Sequence, residues 1–225
     1  MQFERTENLI GKEKLDILKT KKVIVFGVGG VGSYVVEALV RSGISYITVV
    51  DNDVVSLSNI NRQLIALNST IGKPKVEVIK QRILDINNSA KVNAIKEFVT
   101  PENLDNFNLS SYDYAIDAID NVTAKIALAV KSEEQGFNLI SCMGTGNKLK
   151  PELFEITDIY KTSVCPLAKV LRKELKARGV KNLTVLYSKE EPIKTGSKTP
   201  ASISFTPSIA GLRIAQYVIL NLINS

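Results

Sequence analysis

The run VIVFGVGGVG at residues 23–32 restricts the fold of this chain more than any other stretch. A short, β-branched apolar segment leads directly into four glycines, and an amphipathic helical pattern follows at once. Bare backbone N–H groups at the start of a helix attract a phosphate, and glycines let a ligand approach the chain closely. The run therefore predicts a phosphate-binding turn between a strand and its helix, formed by Gly27, Gly29, Gly30 and Gly32.

The apolar pattern of the whole chain fits such a fold. Short β-rich segments alternate with longer amphipathic segments, which is typical of a parallel sheet with crossover helices. We predict strands at 22–27, 45–50, 92–96, 112–117, 137–142, 154–159 and 183–187, and helices at 7–19, 30–42, 74–87, 121–135, 166–178 and 207–223. The expected class is α/β: a Rossmann-like, mostly parallel sheet flanked by helices, with a C-terminal antiparallel extension. We expect one domain over 1–225, with a nucleotide-binding core at 1–145 and a substrate-facing part at 146–225.

The composition excludes several kinds of chemistry. The chain has no histidine, which removes Ser-His-Asp catalysis, histidine zinc sites and dehydrogenases that use histidine as their acid. Its two cysteines, Cys142 and Cys165, form no CxxC pair, so one chain can build neither a disulfide framework nor a four-cysteine zinc site. The charged N-terminus does not resemble a signal peptide, and no apolar run reaches the roughly 18 residues of a membrane span. We therefore expect a cytoplasmic protein with no membrane partner.

A carboxylate and a polar run bear on which nucleotide is bound. Asp51 ends the second predicted strand 19 residues after Gly32, where a carboxylate can accept hydrogen bonds from ribose hydroxyls. This spacing alone also fits a nicotinamide dehydrogenase. Polar residues then follow at Asp53, Asn59, Asn61, Arg62, Gln63, Lys73 and Lys75. Cations that converge on a nucleotide suit triphosphate chemistry, in which charge develops on the α-phosphate and pyrophosphate leaves. The set favours ATP, and the alternative is a solvated polar loop.

The same stretches carry a family resemblance. GVGGVG, DNDVVSLSNINRQ, IGKPKVE and AIDAIDN together resemble the adenylating core of the ubiquitin-activating-like enzymes, the ThiF/MoeB/HesA superfamily. More narrowly, the chain resembles the bacterial tRNA threonylcarbamoyladenosine dehydratases over nearly its whole length. The matching runs are RTENLIGKEKL, NRQLIALNSTIGKPKVEV, FVTPENL, AIDAIDNVTAK and EITDIYKTSVCPLAKVLRKELK. The resemblance implies that a carboxylate is activated as an acyl adenylate, with AMP and pyrophosphate as products. It also implies ATP and Mg²⁺ as cofactors, a homodimer, and tRNA carrying threonylcarbamoyladenosine as the substrate.

The resemblance further implies roles for individual residues. It assigns nucleotide binding to Gly27, Gly29, Gly30, Gly32, Asp51, Asp53, Asn59, Gln63 and Lys75. Asp51 would contact the ribose, Arg62 would lie with Asn59 and Gln63 around the phosphates, and Lys75 would neutralise the α-phosphate region. Asp120 would hold or orient Mg²⁺ near the pyrophosphate, and its alternative role is to cap the helix predicted at 121. Arg5 matches an N-terminal arginine that the family inserts into a partner subunit's site, which requires the dimer.

The cysteines mark a departure from the wider superfamily. Molybdopterin and ubiquitin-type enzymes carry paired CxxC zinc motifs, and ubiquitin activators add a thioester cysteine; neither pattern is present here. Cys165 precedes a predicted helix, whose N-terminus can lower the pKa of a thiol, so a covalent role is conceivable. We prefer a role in packing or in a substrate loop for Cys165, and we expect Cys142 to be buried because it follows an apolar strand.

The helix PLAKVLRKELKAR carries the strongest local positive charge. Lys169, Arg172, Lys173 and Lys176 recur at helical spacing and are predicted to form one outward-facing stripe. Such a stripe, in a chain of net charge +6, can dock the phosphate backbone of tRNA without reading bases. The alternative is an ordinary solvated face.

Three hypotheses of function follow. In the first, the carboxylate of threonylcarbamoyladenosine attacks the α-phosphate of ATP, and the substrate's own carbamoyl nitrogen or oxygen then closes a ring and expels AMP. This ring closure needs no enzyme nucleophile. In the second, the enzyme adenylates the C-terminal carboxylate of a ubiquitin-like sulfur-carrier protein. In the third, the chain is a nucleotide-sensing module without chemistry, although Arg62, Lys75 and Asp120 argue against it.

Overall fold

The computed structural model describes residues 2–197 and 199–224, and their strands form one seven-stranded sheet. The strands are β1 (Lys22–Phe26), β2 (Tyr46–Val50), β3 (Lys91–Ile95), β4 (Tyr114–Asp117), β5 (Leu139–Cys142), β6 (Phe154–Asp158) and β7 (Thr184–Ser188). The order across the sheet is β3-β2-β1-β4-β5-β7-β6. All neighbours are parallel except β6, which pairs antiparallel with β7. The predicted fold class, with its C-terminal antiparallel extension, is confirmed.

Helices cover both faces of this sheet. They are α1 (Glu4–Ile10), α2 (Lys12–Thr20), α3 (Gly32–Arg41), α4 (Lys75–Ile86), α5 (Val122–Gln135), α6 (Pro166–Ala177) and α7 (Phe205–Leu222). Successive side chains of a strand point to opposite faces, so β1 supplies Val23 and Val25 to one apolar core and Ile24 and Phe26 to the other. The first core lies under α2, α3, α4 and α7, and the second lies under α5 and α6. Within the described residues, no helix combines the length and apolar character needed to cross a membrane.

Two differences between the predicted and the observed helices change the interpretation of nearby residues. The helix predicted at 7–19 is two helices, because Gly11 adopts a φ of +87° that an L side chain rarely tolerates and that ends α1. The helix predicted from 121 begins at Val122, and its N-cap is Asn121, whose side chain accepts a hydrogen bond from the Ala124 N–H at 2.9 Å. The interpretation of Asp120 as the helix cap is therefore wrong, and the Asp120 carboxylate is not used for capping.

The strand order creates a ligand crevice at one place. From β1 the chain builds the sheet outward to β2 and β3, and it then returns to the other side of β1 to build β4 and β5. Helices that follow β1 and β4 leave in different directions, which opens a crevice at the carboxyl ends of these strands. The glycine turn after β1 and the segment after β4 meet there.

Candidate active site

A cleft with a volume of about 600 Å³ opens at the carboxyl ends of β1, β2, β4 and β5. We call it the nucleotide cleft. The predicted residues that line it are Gly27, Gly29, Gly30, Asp51, Asp53, Asn59, Arg62, Gln63, Lys75 and Asp120. Its far end is formed by the segment Met143–Gly146 and by Thr199, Pro200 and Ser202. The other predicted residues do not line the cleft: Gly32, Arg5, Lys73 and the four basic residues of α6.

Close backbone approach requires glycine at two positions of the turn after β1. Gly27 has a φ of +84°, and a Cβ there would lie 2.7 Å from the carbonyl oxygen of Ala118. A Cβ on Gly32 would lie only 1.8 Å from the Gly27 carbonyl oxygen. Gly32 therefore serves the folding of the turn, whereas Gly27, Gly29 and Gly30 face the cleft. A side chain at either end would push the turn out of the shape that exposes its N–H groups.

Asp51 fixes the edge of the turn from the end of β2. Its Oδ2 accepts a hydrogen bond from the Val28 N–H at 2.8 Å, and its Oδ1 accepts one from the Asp53 N–H at 2.9 Å. Each carboxylate oxygen can accept a second hydrogen bond. Asp51 therefore holds two cleft segments together and keeps acceptor capacity for a ribose hydroxyl.

Lys75 and Asp53 form an ion pair in the cleft wall. Lys75 is in the first turn of α4, and its Nζ lies 2.7 Å from Asp53 Oδ2. Only 6% of the Lys75 side chain is exposed, against 58% for Asp53. The lysine is buried up to its ammonium group, and Asp53 restrains that group from the solvent side. Asp53 thus contacts Lys75 directly, a partner that the sequence did not indicate.

Arg62, Gln63 and Asn59 come from the short polar turns after β2. Arg62 Nη1 donates to the Ser58 carbonyl and to Asn61 Oδ1, both at 2.9 Å, which holds the guanidinium at the rim of the cleft. Asn59 Oδ1 accepts from the Ser56 N–H at 3.0 Å and so shapes the turn. Gln63 is buried against Gly29, and its Oε1 has no hydrogen-bond partner among the described residues. This leaves a buried polar group of Gln63 available beside the glycine turn.

Asp120 presents an exposed carboxylate to the cleft. The described residues contain no group of three or more His, Cys, Asp or Glu side chains that could hold a metal ion by themselves. Mg²⁺ fits such a site nonetheless, because it is usually held by one or two carboxylates together with substrate phosphates and water. The exposed Asp120 carboxylate at the edge of the cleft is compatible with this mode of binding.

A buried ionic network under the cleft was missed by the sequence reasoning. Lys125 of α5 is 1% exposed and pairs at 3.0 Å with Asp117, which is 0% exposed and ends β4. Lys125 Nζ also donates to Ser141 Oγ at 3.3 Å and to the Cys142 carbonyl at 2.8 Å, both in β5. An aspartate inside the apolar strand AID, with a lysine eight residues later on an apolar helix, was the available indication.

The outward stripe predicted on α6 needs one correction. Lys169, Lys173 and Lys176 are exposed. Arg172 is half-buried, because its Nη1 donates to the carbonyl and the hydroxyl of Thr162, and these bonds hold its guanidinium against the protein. We call Lys169, Lys173 and Lys176 the basic face. It begins close to the cleft, since Leu167 in the first turn of α6 lines the cleft wall.

Both cysteines are buried and unpaired. Cys142 lines the base of the cleft, and burial raises the pKa of its thiol to about 12. Cys165 is the N-cap residue of α6 and is 2% exposed within the second apolar core. The preferred packing interpretation of Cys165 and the predicted burial of Cys142 agree with this placement.

The fold and the cleft define a nucleotide-binding α/β protein, with a glycine turn, a strand-end carboxylate and nearby cations. The model of the ThiF family matches residues 3–224, and the chain belongs to this family. It is similar to the tRNA threonylcarbamoyladenosine dehydratase of Bacillus subtilis, with 43% identity over 240 residues that cover 99% of this chain and 94% of that protein.

Solved structures give the same result. The structure of E. coli tRNA N6-threonylcarbamoyladenosine dehydratase, TcdA, in complex with AMP matches with a TM-score of 0.94 and 32% identity. The TcdA structure in complex with ATP matches with a TM-score of 0.93 and 32% identity. Each alignment covers 99% of this chain and 94% of that chain. The family resemblance deduced from the sequence is confirmed.

Proposed function

We propose that this chain uses ATP to activate the carboxylate of threonylcarbamoyladenosine in tRNA and then cyclises it with net loss of water. The observation that carries this proposal is the nucleotide cleft, where a glycine turn, Asp51, Arg62, Lys75 and Asp120 converge at the switch point of the sheet. Similarity to tRNA threonylcarbamoyladenosine dehydratase over nearly the full length of both proteins supports the choice of substrate.

The residues of the cleft suit the first step, formation of an acyl adenylate. The N–H groups of the glycine turn donate hydrogen bonds to phosphate oxygens, and the Asp51 carboxylate accepts hydrogen bonds from the ribose hydroxyls. A carboxylate oxygen of the substrate attacks the α-phosphorus, and pyrophosphate leaves with the bonding electrons. Lys75 and Arg62 stabilise the charge that develops on the phosphates, and both are held by hydrogen bonds before ATP arrives. Asp120 would hold Mg²⁺, and the bound ion would neutralise charge on the leaving pyrophosphate.

The second step uses a group of the substrate itself. The carbamoyl nitrogen or oxygen attacks the activated acyl carbon, AMP leaves with the bonding electrons, and a nitrogen of the carbamoyl group loses a proton. Because this attack is intramolecular, the protein has to orient the substrate and exclude water, and it needs no nucleophile of its own. The absence of histidine and the high pKa of Cys142 are compatible with this requirement.

The surroundings of the cleft suit a large polyanion. We propose that residues 1–145 form the nucleotide-binding core and that residues 146–225 face the tRNA, with Lys169, Lys173 and Lys176 contacting its phosphates. Arg172, whose guanidinium is bonded to Thr162, adds positive charge beside these three lysines. Arg5 lies outside the cleft in α1, so its proposed catalytic role requires a homodimer in which it enters the partner's cleft. The proposed location is the cytoplasm, where such a tRNA would be met.

One experiment tests the proposal directly. Purified protein is incubated with ATP, Mg²⁺ and tRNA that carries threonylcarbamoyladenosine, and the nucleosides are then analysed by mass spectrometry. We expect a nucleoside lighter by one water, with AMP and pyrophosphate released in equal amounts. Unmodified tRNA serves as the control and should give no pyrophosphate. Release of pyrophosphate only with a ubiquitin-like sulfur-carrier protein would support the alternative substrate, and tight ATP binding without any release would indicate a sensing module.

A further inference from the structure

The buried network of Asp117, Lys125 and Ser141 lies directly beneath the cleft. Lys125 Nζ reaches both Asp117 oxygens, Ser141 Oγ and the Cys142 carbonyl, so one ammonium group joins α5, β4 and β5. Ser141 Oγ also donates to Asp117 Oδ2 at 2.5 Å. Every polar atom of these three side chains is therefore bonded within the network.

Each end of the network leads into a different wall of the cleft. Asp117 Oδ1 accepts from the Ile119 N–H at 3.1 Å, which fixes the short segment Ala118–Asp120 that presents the Asp120 carboxylate. The Cys142 carbonyl, bound by Lys125, directly precedes Met143–Gly146 at the far end of the cleft. The network thus connects the Asp120 segment, on the proposed pyrophosphate side, with the segment Met143–Gly146 at the far end of the cleft.

Stability alone does not account for this arrangement. A buried ion pair has to recover the hydration that both charges lose, and well-packed apolar residues of similar volume often stabilise a fold as well or better. The ionic network instead provides a defined geometry, because its hydrogen bonds fix the positions of the backbone segments that they join.

We propose that Lys125 and Asp117 are positioning residues that set the Asp120 segment and the Met143–Gly146 segment relative to each other for adenylate formation. This inference rests on the proposed function for its kinetic consequence. Its structural consequence, the ordering of both segments, is independent of that function.

The main test replaces the pair by apolar residues of similar size, Asp117→Leu with Lys125→Met. The fold should be retained, but amide hydrogen exchange of 118–120 and 143–146 should become at least about tenfold faster in the absence of ATP and Mg²⁺. The kcat of ATP–pyrophosphate exchange should fall by about tenfold or more, while KM for ATP stays within about twofold, because misplacement by 1 Å is enough to slow a positioned reaction. Ser141→Ala removes one bridging hydroxyl without changing a charge, and it should give a smaller change in the same direction.

A matched control separates positioning from general loss of stability. Val218→Ala creates a cavity under α7 in the first apolar core, on the face of the sheet opposite α5, which carries Lys125. It should lower the melting temperature while leaving kcat and exchange at 118–120 and 143–146 unchanged.

The outcomes are distinguishable. The inference is overturned if both Ser141→Ala and the folded double variant show unchanged amide exchange and unchanged kcat. If the double variant does not fold, unchanged exchange and kcat in Ser141→Ala are sufficient to overturn it. A kcat loss that Val218→Ala reproduces at equal loss of melting temperature would also overturn it. If the wild type releases no pyrophosphate with the modified tRNA, the proposed function fails, and the exchange measurements still decide the inference.

Discussion

The proposed phosphate end of the cleft, at Lys75 and Arg62, and the basic face of α6 hold their positive charges in opposite ways. Lys75 is almost fully buried and is paired with Asp53, and Arg62 is held by two hydrogen bonds. The three lysines of the basic face are exposed, and none of them makes an ion pair among the residues that the structure describes. Held charges can stabilise a transition state without reorganising, whereas free charges can follow a flexible polyanion and release its counterions.

This difference implies different costs of substitution. Loss of a held charge removes a contact that no neighbour can replace, and it should act on the rate of chemistry. Loss of one free lysine is compensated by its neighbours and should act on tRNA affinity. The following variants test that separation.

The largest effects are expected at the two held cations. Lys75→Ala and Arg62→Ala should each lower the rate of adenylate formation by about 10²-fold or more, because each removes charge stabilisation at the phosphates. Pyrophosphate release in a single turnover measures this rate, and circular dichroism should show retained folding.

Lys73 provides the matched control for Lys75. It is exposed two residues earlier, in the loop that leads into α4, and it does not line the cleft. Lys73→Ala should leave the rate within about twofold of the wild type, as is usual for exposed substitutions. A near-normal rate in Lys75→Ala, or an equal loss in Lys73→Ala, would show that the phosphate end is assigned to the wrong residues.

An intermediate effect is expected when the held lysine is released. Asp53→Asn keeps Lys75 but removes its charged partner, so the ammonium group becomes freer and kcat should fall by about tenfold. Asp16→Asn is the control, because Asp16 pairs with Lys12 and Lys19 in α2, away from the cleft. Steady-state pyrophosphate release should separate the two. Equal rates for Asp53→Asn and the wild type would mean that burial alone positions Lys75.

Most elements of the fold and most of the cleft follow from local sequence. Apolar periodicity located every strand to within about two residues. The five inner strands are almost fully buried and read as largely apolar runs, whereas the edge strands β3 and β6 are only partly buried. The glycine turn and Asp51 were recognisable since their spacing follows from the strand-turn-helix-strand geometry. The helix break at Gly11 was not predicted, because a lone glycine in a helical pattern is compatible with either a helix interior or a cap.

Long-range side-chain partners were beyond local reasoning. Lys125 lies in a regular helical pattern, and only the pairing of β4 with β5 brings Asp117 and Ser141 to it. Arg172 fits a basic stripe on a helical wheel, yet the loop before α6 returns Thr162 to its guanidinium. In both cases the deciding contact depends on how distant segments meet, and sequence periodicity does not specify that.

The basic face should give a moderate effect on binding alone. Lys169→Glu, Lys173→Glu and Lys176→Glu together should weaken tRNA binding by about tenfold or more at low salt and reduce the slope of affinity against salt, while ATP binding is unchanged. Arg172 is left in place because it is bonded to Thr162. A filter-binding assay at several salt concentrations measures both quantities.

The control for this variant carries the same change in net charge elsewhere. Lys14, Lys22 and Lys91 are exposed. Lys22 and Lys91 are the first residues of β1 and β3, so they lie at the amino ends of these strands, whereas the cleft lies at the carboxyl ends. Reversing these three should weaken tRNA binding much less. If both triple variants lose the same affinity, net charge rather than the basic face governs docking.

The smallest effects are expected at the cysteines, which belong to neither charged region. Cys142→Ala and Cys165→Ala should leave kcat within about threefold of the wild type, since the ring closure needs no enzyme thiol and the loss of a small buried side chain affects mainly stability. Burial raises the pKa of Cys142 to about 12, so at pH 8 its thiol is almost entirely protonated and is a poor nucleophile. Because both cysteines are also buried, iodoacetamide at pH 8 should modify neither of them in the folded protein, and both should react in denaturant, as intact mass spectrometry can show. Rapid modification of native Cys165 that is blocked by the substrate tRNA would contradict its packing role and would reopen a covalent mechanism.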